Sequence, residues 1–214
     1  MMPPGMSFNA VSDKALAAAK SSQLPKSFWA WDDMLNMNRI GFFPYTPATQ
    51  MLHGLAEGIA MLHEEGLDNV FARHDRLAEA TRQAVRAWGL EIMCREARYY
   101  SPTVTAVMLP EGHDADAFRN LALDTFNISY GASFGRYAGK YFSIGHLGDL
   151  NDGMLMGALA NTEMALALAG IPHKKGGVQA AVDYLISAHA HPARAAAGSI
   201  LVFRATGPFD GVSV

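Results

Sequence analysis

The sequence predicts an α+β fold: a small, mostly antiparallel sheet covered by helices. Three observations lead there. The β-type runs are few and short, at 90–94, 103–109, 128–130 and 140–144. Segments of helical period precede and follow them, at 46–88 and 152–187. The resulting order from 46 to 187, two helices, strands around a third helix, then two more helices, fits a helix-covered layer.

Composition narrows the class further. The 214 residues carry 17 basic and 20 acidic side chains, a formal net charge of −3. A charged fraction of 17% with half the residues apolar argues against a solvated disordered chain. It also gives no global basic field for nucleic acid. A single cysteine, Cys94, excludes a disulfide framework and a multi-cysteine metal cluster within the chain. The richest apolar window, 154–170, is broken by Asn161, Thr162 and Glu163, so no membrane partner is expected. With no secretory signal pattern, a soluble cytoplasmic protein is the expectation.

Residues 6–11 form a short β-capable run without a nearby strand partner, and Ser12 is placed to cap a helix to about Lys20. Residues 21–45 read as irregular and aromatic. At Thr46-Pro47 a helix start is expected: threonine caps, and proline at the first helical position gives up an N–H without a partner. Leu52, Leu55, Ile59 and Leu62 follow at helical spacing until Gly66. Asp68 is expected to cap the next helix, whose Phe71, His74, Leu77, Thr81, Val85 and Trp88 share an inward face. Its opposite face, with Asp75, Arg76, Glu79, Arg82 and Arg86, reads as solvated. Beyond the strand runs, Asp114 and Asn151 cap helices, the second ended by Gly170 and Pro172, and a last helix spans about 178–187.

Several motifs of catalytic type fail on spacing. The loop ending Gly139-Lys140 has Phe134 where a phosphate-binding P-loop needs glycine. His63-Glu64 lacks the second histidine of a zinc protease helix, and His189 with His191 has no third ligand, so no metal is expected. His53 and Glu57 share a helix face as packing. Cys94 reads as an inert strand residue. One feature carries specific chemistry: the Thr46-Pro47 helix start offers a hydroxyl beside free N–H groups, which suits a phosphate oxygen.

The runs MMPPGMSFNAVSDKAL and WDDMLNMNRIGFFPYTPATQMLHGLAEGIAMLHEEGLDNVFARHDRLAEATRQAVRAWGLE resemble class V aminotransferases, in the serine–glyoxylate and alanine–glyoxylate branch. So do SPTVTAVMLPEGHDADAFRN and NISYGASFGRYAGKYFSIGHLGDLNDGMLMGALANTEMALALAGI. The resemblance covers about 1–187. It implies the small C-terminal α+β domain of a fold-type-I pyridoxal-phosphate transferase at 46–187, opening with a long interdomain helix. Residues 1–45 would then be a remnant of the large domain and a connecting segment. The stretch 188–214 does not match the family and need not belong to the fold or be ordered.

The same resemblance assigns site positions. Thr46 matches a threonine that reaches the cofactor phosphate across a homodimer interface. Phe43 stands where relatives often carry tyrosine, and without the hydroxyl it only packs. Ser143 stands where relatives carry the arginine that forks onto the substrate carboxylate. A serine cannot supply that clamp, a loss of about 1.5–3 kcal/mol or more in an intact site. Arg136, in the adjacent loop, is the candidate cation to substitute for it. The family's Schiff-base lysine precedes the Pro-Pro-Gly element, here Pro3-Pro4-Gly5, so it falls upstream of Met1, and none of Lys14, Lys20 or Lys26 matches it.

The implied parent reaction moves an amino group from serine to glyoxylate, an amino-acid and 2-oxo-acid pair, on pyridoxal 5'-phosphate in a homodimer. These 214 residues are expected to be silent by themselves, with no catalytic residue of their own. The alternative is a non-catalytic domain or truncated gene product that acts through association with a large-domain partner.

Overall fold

The structure is a computed structural model, and it describes residues 3–190. The chain divides into two compact units, Met1–Leu67 and a second beginning at Asp68.

The first unit is helical. Helix α1 (Asp13–Ser21) starts where expected, with the Ser12 hydroxyl accepting the Ala15 N–H at 3.3 Å. Helix α2 (Trp31–Arg39) lies in the stretch expected to be irregular. Asp32 and Asp33 in its first turn and Arg39 in its last complement the helix dipole. No side chain caps it, and Trp31, Met34 and Met37 share its half-buried face at helical spacing. Helix α3 (Thr49–Glu65) ends at Gly66, which sits at φ +82°, a conformation a side chain resists. Residues 6–11 form no strand, because no strand of the first unit lies beside them to pair with. None of the three helices has a buried residue.

The second unit has the predicted α+β layering. Helix α4 (Leu67–Ala87) leads into a sheet of β1 (Glu91–Ile92), β2 (Val104–Met108) and β3 (Tyr141–Gly145). The order is β1-β2-β3 and both pairings are antiparallel, with Ala106 opposite Ser143 and Val107 opposite Phe142. Helices α5 (Ala115–Phe126), α6 (Asp152–Leu168) and α7 (Gly177–Ala190) complete it. The Asp114 carboxylate accepts the Asp116 N–H at 2.9 Å and the Asn151 side chain accepts the Met154 N–H at 2.9 Å, so both expected caps form.

One sheet face carries the core. Val107, Phe142 and Ile144 pack with Leu77 and Val85 of α4, Phe118 of α5 and Leu155 and Leu159 of α6. Phe118, Tyr130 and Phe142 form an aromatic cluster with centroids 4.6–5.7 Å apart, a geometry that adds to their burial. The Tyr130 hydroxyl donates to Thr162 at 2.8 Å while Thr162 donates to the Ala158 carbonyl, so both buried hydroxyls are satisfied.

Four further expectations are corrected. Residues 128–130 form no strand; Gly131 makes an isolated bridge to Ser143 instead. The run 90–94 shrinks to β1, which places Cys94 in the following loop, half-buried and not in a strand. Arg82 is not on a solvated face but 9% exposed, because the 93–101 segment folds over it. The last helix runs to Ala190, so 188–190 belong to it, and His189 bonds the Asp152 carboxylate at 3.0 Å. The rest of the expected tail, with His191, lies outside the described residues.

Candidate functional site

Phe43 and Thr46 lie on one loop. The C-terminus of α2 turns sharply at Gly41 (φ +79°), with the Phe42 N–H on the Met37 carbonyl at 3.0 Å and the Asn38 amide on the Phe42 carbonyl at 3.0 Å. The chain then runs as Phe43-Pro44-Tyr45-Thr46-Pro47 around an open hollow lined by 41–47. The Tyr45 ring lies 4.9 Å from that of Phe28 and its hydroxyl 3.5 Å from Ser27. Phe43 is 48% exposed, and Thr46 is exposed.

Thr46 is not the cap that its sequence position suggests. The Pro47 carbonyl accepts the Thr49 N–H at 3.0 Å, so the chain makes one tight turn before α3 begins, and Ala48 occupies the cap position without a side-chain bond. The Thr46 hydroxyl and the N–H groups of Thr46 and Ala48 have no partner among the described residues. The loop therefore presents three uncommitted donors, the chemistry that suits an anionic oxygen.

Ser143 belongs to the second unit, at the middle of β3. Because Phe142 and Ile144 turn into the core, Ser143 turns to the opposite face, beside Ala106. It is half-buried. Its N–H donates to the Gly131 carbonyl at 3.0 Å and its carbonyl accepts the Gly131 N–H at 2.9 Å. A Cβ added at Gly131 would stand 3.0 Å from the Ser143 Cβ, so glycine there makes the room that any side chain at 143 needs. Gly131→Val is expected to destabilise the second unit by about 1–3 kcal/mol. Urea midpoints measure it, and an unchanged midpoint would show that the contact relaxes freely. Arg136, in a 3-10 turn at Gly135–Tyr137, is exposed and holds its guanidinium 5.0 Å over the Tyr137 ring.

The strand that carries Ser143 is pinned at its exit. His146 is fully buried, with Nδ1 3.1 Å from the Pro102 carbonyl and Nε2 2.9 Å from the Thr105 hydroxyl. A carbonyl only accepts, so Nδ1 carries the proton and Nε2 accepts from Thr105. Burial pushes the imidazole down to about 4, with the Arg82 charge adding to the effect against the Pro102 bond. The next loop is held to α4: Arg73 donates to the Gly148 and Leu150 carbonyls at 2.8 and 3.0 Å, and Gly148 N–H donates to His74 at 3.1 Å. Sequence reading missed this anchoring; the only signal was three polar residues, His74, Thr105 and His146, at apolar-spaced positions.

Among the described residues, no group of three or more His, Cys, Asp or Glu side chains is placed to hold a metal ion. No described helix is long and apolar enough to cross a membrane.

No protein-family model matches the chain. Curated relatives do. Over 187 residues it is 48% identical to the serine–glyoxylate aminotransferase of Hyphomicrobium methylovorum, covering 86% of this chain and 46% of that protein. To the L-aspartate–glyoxylate aminotransferase of Paracoccus denitrificans it is 40% identical over 185 residues, covering 86% and 47%. Among solved structures, the pyridoxamine–pyruvate aminotransferase of Mesorhizobium loti superposes with a TM-score of 0.75 at 32% identity, over 83% of this chain and 46% of that one. The chain belongs to the class V aminotransferases, within the glyoxylate aminotransferase branch. It spans about half the length of the curated relatives it matches.

The fold family implies pyridoxal phosphate, and the described residues fit only a fraction of it. The 41–47 loop offers donors for one phosphate edge. Covalent anchoring needs a lysine amine in a desolvated pocket. Lys14, Lys20, Lys26, Lys140, Lys174 and Lys175 are all exposed. The residues present do not make a complete holder for the cofactor.

Proposed function

We propose that these residues are the C-terminal portion of a serine–glyoxylate-type transaminase and are catalytically silent by themselves. The observation that carries this reading is the 48% identity to a serine–glyoxylate aminotransferase over 187 residues, aligned to under half of that enzyme. In the whole enzyme, a cytoplasmic homodimer, pyridoxal phosphate supplies the electron sink for moving an amino group from serine to glyoxylate. Thr46 places its hydroxyl on the cofactor phosphate, and Phe43 packs beside it. On this reading, 1–45 is a remnant of the large domain with the connecting segment, and 46–187 is the C-terminal α+β domain. At Ser143 the carboxylate clamp is missing, so substrate carboxylate binding weakens there relative to enzymes that carry arginine. Borohydride reduction of the purified chain with pyridoxal phosphate, followed by peptide mass spectrometry, is the test. The expected outcome is no stoichiometric adduct at any single lysine. A single fully modified lysine would contradict the reading.

A second reading, a non-catalytic product that associates with a large-domain partner, is favoured by one observation. Phe28, Trp29, Phe42 and Phe43 are all exposed on a unit whose helices bury nothing. Light scattering with the N-terminal half of the Hyphomicrobium relative decides it: a complex is expected, and two non-interacting species would remove the idea.

A further inference from the structure

Beside β1 and β2, the second unit holds a cavity of about 290 Å³ whose wall includes Ile92, Met93, Cys94, Tyr99, Val104 and Ala106. At roughly 30 Å³ per water-sized group, it takes a ligand of about ten non-hydrogen atoms. Most of the wall is apolar, yet Arg82 also lines it, 9% exposed. The Arg82 guanidinium lies 5.1 Å over the Tyr100 ring. Its Nε donates to Glu79 at 2.7 Å and its Nη1 to the Ser101 carbonyl at 3.3 Å. Nη2 has no partner among the described residues.

The local charge does not cancel. Glu79 accepts from Arg82 and also from Arg86, each at 2.7 Å, so two guanidiniums share one carboxylate. Burial alone would raise the Glu79 carboxyl, but the two arginines outweigh it and hold the group below its ordinary value. In the segment between Cys94 and Tyr99, Arg98 is matched by Glu96 at 2.7 Å. Two guanidiniums on one carboxylate leave this cluster with a net positive charge, and Arg82 is its member that lines the cavity, its donors oriented by its other bonds. Ligand sites typically combine such an apolar wall with a few placed polar groups, and guanidinium donors suit a carboxylate.

We propose that this cavity binds a small monocarboxylate with an apolar body, its carboxylate on Arg82 Nη2 and its body against Ile92, Val104 and Ala106. The site lies within the second unit, so the inference stands independently of the transaminase reading. Cys94, the chain's one cysteine, opens onto the cavity and reports occupancy. The experiment measures the rate at which N-ethylmaleimide modifies Cys94 in the full 214-residue chain, with 4-methylbenzoate or its neutral match 4-methylbenzamide. Saturable protection of fivefold or more by the acid, and little by the amide, is expected. Arg82→Gln is expected to abolish the difference between acid and amide. Since Arg82 also supports the fold, Ala106→Leu, which fills the cavity from β2, serves as a second variant. It is expected to abolish protection while circular dichroism stays native. Equal protection by acid and amide, no protection by either, or protection that survives in folded Ala106→Leu would overturn the proposal.

Discussion

Gly177→Ala is expected to destabilise the second unit by about 3 kcal/mol or more. Gly177 opens α7, and an added Cβ falls inside the indole of Trp88, a residue only 1% exposed. The indole cannot step aside cheaply. Its Nε1–H donates to Glu163 at 2.8 Å, and the same carboxylate accepts the Gly176 N–H at 2.9 Å and the Val178 N–H at 3.0 Å. Glu163, from α6, thus caps α7, satisfying first-turn donors that would otherwise be orphaned. Burial would raise its carboxyl, but the bonds from Gly176, Trp88 and Val178 outweigh that and hold it below its ordinary value. Moving Trp88 therefore loosens both a core aromatic and a helix cap. The contrast is Gly157→Ala in α6, where a Cβ meets nothing within 4 Å. There the same substitution is expected to stabilise by up to about 1 kcal/mol, from helix propensity. Urea unfolding of the two variants side by side gives opposite signs; equal effects would contradict the packing described around Trp88.

The second large effect is a loss of stability in acid, through His146. Its folded value of about 4 lies below the ordinary 6.5, so the unfolded chain binds the proton more readily. Its contribution is complete above about pH 6.5 and is lost as the pH falls towards 4. Integrated over that window the loss is on the order of 3 kcal/mol. Protonation would place a charge in a buried site facing Arg82 and His74, both of which disfavour it. His146→Gln, which cannot titrate, is expected to be less stable than the parent at pH 7 but to show a flatter pH dependence between 6.5 and 4. Denaturant midpoints measured across that range check it, and parallel slopes for the two proteins would sink the idea.

Much of the second unit was legible in the sequence because its signals are local. Asp114 and Asn151 cap as their side chains dictate, and the valine and threonine run becomes β2. What failed depended on distant partners. Residues 128–130 have strand-like side chains, but only Gly131 comes close enough to β3 to bond it. Arg82 sits on a helix face with charged neighbours, and only the later 93–101 segment decides that it is buried. Thr46 illustrates the limit at the candidate site. Threonine followed by proline reads as a helix start, yet the Pro47 carbonyl captures the Thr49 N–H and delays the helix by two residues. The Thr46 hydroxyl therefore sits on the loop before α3 and not at the helix start on which the sequence argument for a phosphate oxygen rested. Ser143 is placed on β3 as the 140–144 run suggested, but its partnership with Gly131 requires the fold.

The most direct test is turnover. Purified 214-residue protein is mixed with serine, glyoxylate and excess pyridoxal phosphate, and hydroxypyruvate formation is followed against a control without protein. No formation above that control is expected, because no lysine of these residues lies in a pocket that would anchor the cofactor and Ser143 offers no carboxylate clamp. Sustained, serine-dependent hydroxypyruvate production that scales with protein concentration would contradict the account.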